Sequence, residues 1–268
     1  LADVAIRKPN ANQFIQIPDF QAFFVISLLN SFGMPLRILL FVFAPLFAVS
    51  QSVTNLNPYG LELTNSIEKY HEDVLSNPDN ELINLIDLIP GLVLDIRYAT
   101  HNNFTNEIVY ELPLAFLRRP VAEALADVQN ELEEHGLGLK IFDAYRPYQA
   151  TLKFWNLIGN TQFVAAPWKG SRHNRGAAVD LTIIVLKTGK ELEMPTAFDA
   201  FTEKASPDYN QLPEYQIVNR NYLIKIMRRH GFRVFPSEWW HFDYKHWENY
   251  NLVDLPFDQL ITNKISAN

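Results

Sequence analysis

Apolar positions recur at helical spacing along much of the chain. Val121, Leu125, Val128 and Leu132 share one face of a helix predicted over residues 120–135. Gly136 offers the left-handed position that closes such a helix. Further helices are predicted at 65–75, 147–158 and about 213–230, the last closed by Gly231. Strand-like runs fall at 92–98, 139–144, 178–186, 232–235 and 239–244, with Lys187-Thr188-Gly189-Lys190 as a hairpin turn. Helices and strands alternate without a strict βαβ rhythm. The pattern therefore predicts an α+β domain whose central sheet is largely antiparallel and flanked by helices.

The amino end departs from that pattern. Met34 is the first methionine, Arg37 follows, and residues 38–48 are apolar except for Pro45. Ala48-Val49-Ser50 then places small residues where a signal peptidase would cut. The run is too short for a membrane span, which takes roughly 20 residues, and a buried core helix is the alternative. The polar, turn-rich stretch after residue 50 favours a cleaved signal peptide. Residues 1–50 are thus expected to be an upstream extension plus signal peptide, and 51–268 a single catalytic domain exported to the periplasm or beyond. No stable membrane insertion is expected after cleavage.

Composition narrows the chemistry. The 268 residues carry 23 Lys+Arg against 30 Asp+Glu, a net charge of −7, and no cysteine. An acidic chain with scattered arginines is a poor nucleic-acid binder, because phosphate neutralisation needs clustered cations. Without cysteine there is no thiolate nucleophile, iron–sulfur cluster or Cys-ligated zinc. Any metal must rest on His, Asp and Glu.

Three segments carry candidate chemistry. In Ser171-Arg172-His173-Asn174-Arg175-Gly176-Ala177-Ala178-Val179-Asp180, Gly176 permits a tight turn that brings His173 and Asp180 to one point. Taken alone, this pair also fits a loop histidine and a strand-end aspartate with no shared task. In Glu238-Trp239-Trp240-His241-Phe242-Asp243, a His and a Glu beside two tryptophans need partners if buried. His173, Asp180 and His241 make a three-ligand zinc set with a fourth position open. Glu238 would then activate the water. A regular strand would point Glu238 and His241 to opposite faces, so Glu238 must enter from the loop after Pro236 or across a bulge. In Phe142-Asp143-Ala144-Tyr145-Arg146-Pro147, Arg146 ends a strand where a proline opens a helix. It is either an oxyanion stabiliser or a structural partner of Asp143.

Together these segments resemble the D-alanyl-D-alanine dipeptidases, which include the vancomycin-resistance dipeptidases. That family shares a zinc-peptidase clan with D,D-carboxypeptidases and Hedgehog amino-terminal domains. The shared blocks are Ser171-x-His173-x-x-Gly176-x-Ala178-x-Asp180, Glu238-x-Trp240-His241 and Asp143-Ala144-Tyr145-Arg146-Pro147. Residues 94–100 and Asn102-Asn103-Phe104 resemble the family's early strand and loop, and Phe198-Asp199 falls where it has a substrate-amine aspartate. The resemblance implies a Hedgehog/D,D-peptidase-like fold and one Zn²⁺ held by His173, Asp180 and His241. It also implies Glu238 as general base and Arg146 as oxyanion stabiliser, with Tyr98, Ser171 and Asp199 holding the ends of D-Ala-D-Ala. The segments at 164–169 and 191–212 look individual to this chain.

Two other functions compete with this one. A D,D-carboxypeptidase or endopeptidase acting on longer peptidoglycan peptides would not need an amine partner at Asp199. An inactive exported zinc-binding protein would need neither Glu238 nor Arg146. A serine hydrolase is disfavoured, because Ser171 lacks a Gly-x-Ser-x-Gly setting.

Overall fold

The structure is a computed structural model that describes residues 57–161 and 163–262. The expected signal peptide, its cleavage site and the boundary at residue 50 lie outside the described residues. No helix among the described residues is long and apolar enough to cross a membrane.

The chain begins with β1 (Leu63–Thr64), α1 (Ile67–Ser76), β2 (Leu82–Asn84), α2 (Leu85–Leu88) and β3 (Val93–Leu94). It continues through β4 (Phe116–Arg118), α3 (Arg119–Glu133), β5 (Leu137–Asp143), α4 (Tyr148–Ile158) and β6 (Ala178–Val185). After β7 (Lys190–Glu191) come α5 (Glu214–Arg229), β8 (Phe232–Phe235), β9 (Glu238–Tyr244), β10 (Leu252–Val253) and α6 (Phe257–Thr262). The four helices expected from spacing form within two residues of their expected ends. Ser66 fixes the start of α1, its hydroxyl accepting the Lys69 N–H at 3.3 Å.

The central sheet has the order β3-β5-β6-β9-β8, with β7 also paired to β6. Only the β3–β5 pairing in it is parallel, as the predicted class requires. Helix α3 packs on β5, α5 packs on β8 and β9, and the two helices touch. Val121, Leu125, Val128 and Leu132 are fully buried at that contact. Each such side chain contributes roughly 1.5–3 kcal/mol by leaving water. Gln129 on the same helix is buried too, and its side-chain carbonyl accepts the Leu139 N–H at 2.8 Å.

The expected strand at 92–98 is corrected by the structure. Only Val93–Leu94 pair with β5, and residues Arg97–Ala99 form a 3₁₀ turn. The Asp95 N–H still bonds the Ile141 carbonyl at 2.8 Å, after which the chain leaves the sheet. The Tyr98 carbonyl instead receives the N–H groups of Val109 and Tyr110. This departure turns the Tyr98 side chain into the interior, where it meets the site described next. Two small pairings, antiparallel β2–β4 and parallel β1–β10, were not expected. Strands of two or three residues are too short to show a period.

Candidate metal centre

Two irregularities in the sheet assemble the site. On β5, Ile141 faces Leu181 but Asp143 faces Asp180, so Phe142 is an extra residue at a bulge. Across the next pairing Asp180 faces His241. Asp143, Asp180 and His241 therefore form one row across three strands, where directly opposed side chains come within about 4.5–5.5 Å at Cβ. The second irregularity lies between β8 and β9, where Val234 faces Phe242 but Phe235 faces Glu238. It turns Glu238 to the side of His241, with Oε2 3.7 Å from His241 Nδ1. The bulge expected between these two residues is present.

His173 comes from a different kind of element. Residues His173–Arg175 make one 3₁₀ turn that ends at Gly176 with φ 65°. A Cβ on Gly176 would lie 2.5 Å from Leu82 Cδ2, so glycine is required both by conformation and by space. Buried Arg118 ties this turn down, donating from Nε to the Arg175 carbonyl at 2.8 Å and from its backbone N–H to Gly176 at 2.9 Å. The fully buried Asn174 accepts the Ser171 N–H at 2.6 Å and donates to the Arg146 carbonyl at 2.9 Å. It thereby joins the His173 turn to the segment carrying Arg146. The sequence analysis gave Asn174 no role, because an Asn between two charged residues reads as an ordinary loop.

The hydrogen bonds fix which nitrogens face the centre. His173 Nδ1–H donates to the Ala144 carbonyl at 2.7 Å, and His241 Nε2–H donates to Asp243 Oδ1 at 2.9 Å. This leaves His173 Nε2 and His241 Nδ1 facing each other at 3.1 Å. Asp180 closes the triangle, with Oδ2 3.4 Å from His173 Nε2 and Oδ1 3.0 Å from His241 Nδ1. Two lone-pair nitrogens and a carboxylate this close repel one another unless a cation or proton sits among them. Asp180 Oδ1 is also buried without a hydrogen bond. All three ligand atoms lie within 4.8 Å of one another. The residues fit a metal ion, and a nitrogen–nitrogen–oxygen donor set is one that zinc accepts.

The electrostatics agree with that reading. Burial opposes charge on His241, but hydrogen bonds to Asp180 and Asp243 push its pKa up to about 10. Burial likewise opposes charge on Asp180, yet His173 and His241 outweigh it and hold the carboxyl well below its usual range. The centre thus stabilises positive charge. Burial raises Glu238, as expected for a carboxylate that must bind a proton during turnover.

Arg146 occupies both of the roles left open by the sequence. Its Nε and one Nη donate to Asp143 Oδ2 at 3.0 and 2.7 Å, so the structural ion pair exists. Asp143 is itself held by the Tyr110 hydroxyl at 3.0 Å and the Ala144 N–H at 2.9 Å. The guanidinium also stands over the rings of Phe154 and Tyr98 at 4.9 and 5.3 Å, and one Nη lies 4.0 Å from Asp180. It is therefore held rigidly beside the ligands.

All eight predicted site residues line one cavity of about 460 Å³. Ser171 Oγ accepts the His173 N–H at 3.2 Å. Asp199 has a left-handed backbone, φ 57°, and its Oδ2 accepts the Tyr98 hydroxyl at 2.9 Å. Burial and the negative Asp180 raise its pKa well above the usual carboxylate range. A carboxylate so placed is short of a cation.

A buried two-histidine, one-carboxylate set, with a further carboxylate beside it in a cleft, defines a metallopeptidase-type hydrolytic centre. Residues 78–260 match the peptidase M15 family model, described as D-ala-D-ala dipeptidase, and the chain belongs to that family. The D-alanyl-D-alanine dipeptidase of Escherichia coli (strain K12) is 34% identical over 182 residues, covering 68% of this chain and 94% of its own length. The D-alanyl-D-alanine dipeptidase of Enterococcus faecalis (strain ATCC 700802 / V583) is 29% identical over 199 residues, covering 67% of this chain and 95% of its own.

Proposed function

We propose that this chain hydrolyses D-alanyl-D-alanine to two molecules of D-alanine, using one zinc ion held by His173, Asp180 and His241. The observation that carries the reading is the convergence of those three ligand atoms within 4.8 Å, with Glu238 at 3.7 Å from one of them. Relatives named for this activity align along nearly their whole length, which supports the substrate.

When bound, the ion supplies Lewis acidity that activates water and polarises the scissile carbonyl. Glu238 takes the proton of the attacking water and delivers it to the leaving amine. Arg146, oriented by Asp143, directs N–H groups at the carbonyl oxygen as negative charge develops on it. Asp199 receives the free ammonium group of the dipeptide and thereby relieves its own unpaired burial. Tyr98 and Ser171 fix the substrate's ends from the cavity wall. The apolar run at 38–48 and the Ala48-Val49-Ser50 site support export, with a mature chain starting near Gln51. Amino-terminal sequencing of periplasmic or secreted protein tests this, and an intact chain found only in the cytosol contradicts it.

Incubation of zinc-loaded protein with D-Ala-D-Ala, its N-acetylated form and a pentapeptide stem tests the reaction. The free dipeptide is expected to be cleaved while the other two are nearly inert, because N-acylation removes the cation that Asp199 needs. Equal rates on the pentapeptide would favour a carboxypeptidase instead.

A further inference from the structure

The outer side of the metal centre holds a group of residues for which the reaction has no use. Arg172 immediately precedes the ligand His173, and Asp243 lies two residues beyond the ligand His241. Arg172 Nε stands 3.3 Å from Asp243 Oδ2, while the other oxygen, Oδ1, accepts the His241 Nε2–H at 2.9 Å. The guanidinium is clamped between two rings, 4.8 Å from Trp247 and 5.3 Å from Phe235. Phe235 also packs on the His241 imidazole, with ring centroids 5.1 Å apart. Trp247 takes Arg175, at the far end of the His173 turn, at 5.6 Å. Every one of these contacts links the turn that carries one ligand to the strand that carries another.

From this arrangement we propose that Arg172 and Asp243 act as a positioning pair for the metal centre: Asp243 fixes His241 as an Nδ1 donor, and Arg172 fixes Asp243 while locking the His173 turn to β9. The inference rests on the metal-site reading above. Its physical basis is twofold. A histidine has two nitrogens, and the one offered to a metal is set by the hydrogen bond made by the other. A free carboxylate two residues along a strand can rotate about χ1 and χ2, and a cation on its second oxygen restrains that rotation. The side chain of Asp243 is 13% exposed and that of Arg172 35%, so the pair is partly shielded from screening by solvent. Aromatic faces on both sides of the guanidinium add a restraint that a lysine would match poorly.

The test is equilibrium competition for zinc between the protein and a chromophoric chelator, at fixed pH, with folding of each metal-free variant followed by circular dichroism. Wild type is expected to bind one zinc. Asp243→Ala is expected to weaken binding about 10–100-fold, the scale seen when partners of ligating histidines are removed. Asp243→Asn, which keeps an acceptor for His241 but loses the charge facing Arg172, falls between the two and serves if the alanine variant does not fold. Arg172→Met weakens binding by a smaller factor and adds nothing in the Asp243→Ala background, since it acts through Asp243. Lys187→Met, which removes an exposed cation from the hairpin turn, leaves affinity unchanged. Folded Asp243 variants that bind zinc as wild type does overturn the inference, as does an Arg172→Met effect that is the same with and without Asp243. Failure of wild type to bind zinc at all overturns the metal-site reading itself.

Discussion

Replacing Gly176 by alanine tests how the His173 turn is held. Two separate penalties follow from the structure. The residue sits at φ 65°, where an L side chain costs roughly 1–2 kcal/mol. Its new Cβ would also stand 2.5 Å from Leu82 Cδ2 and 3.4 Å from Arg118 Cγ and N. Leu82 is 6% exposed and Arg118 1%, so neither side chain has open space to move into. Overpacking of this kind costs about 1–3 kcal/mol. The sum is about 2–5 kcal/mol, which for a domain of this size lowers Tm by about 4–20 °C. Denaturant unfolding of metal-free protein measures it. A second background separates the penalties: in Leu82→Ala the clash disappears, and Gly176→Ala should there cost only the conformational part, about 1–2 kcal/mol. An equal cost in both backgrounds, or a cost below about 0.5 kcal/mol in wild type, the range of an ordinary surface change, would refute the reasoning.

Further expectations concern the cavity. Glu238→Gln keeps zinc and substrate binding while kcat falls by about 10²–10⁴, as single-turnover assays with metal analysis would show; near-normal turnover removes Glu238 from the chemistry. Arg146→Ala lowers kcat by about 10²–10³ if its N–H groups act as oxyanion donors. It also leaves Asp143 buried without its cation, so thermal stability falls as well, and unchanged stability would contradict the ion pair. Asp199→Ala raises KM for D-Ala-D-Ala more than it lowers kcat and narrows the preference over the N-acetylated form. An unaltered preference would remove Asp199 from amine recognition.

Much of the site was legible because its chemistry is carried by residue types that are costly to bury alone. His173, Asp180, Glu238 and His241 stood out by their company: a glycine that allows a turn, and tryptophans that imply burial. The need for a bulge between Glu238 and His241 also followed from strand alternation. The second bulge was not legible. Nothing in Ile141-Phe142-Asp143 signals that Phe142 is extra, since the bulge depends on pairing with Leu181 and Asp180 on a distant strand. The break at Arg97 was hidden for a similar reason, because residues 92–98 are as apolar as a strand while Tyr98 is drawn inward by partners far along the chain, Asp199 among them. Arg118 illustrates a third limit. Beside Arg119 it reads as a surface cation, yet it is buried and donates to the backbone carbonyls of Asn80, Arg175 and Asn251.

Titration of chelator-stripped protein with zinc, following release of D-alanine from D-Ala-D-Ala, bears most directly on the whole account. Activity should be absent without metal, rise in proportion to added zinc, and level off at one equivalent per chain, with His173→Ala inactive at every point. Metal-free protein that hydrolyses the dipeptide at the zinc-loaded rate, or a His173→Ala variant that recovers full activity at one equivalent, would contradict it.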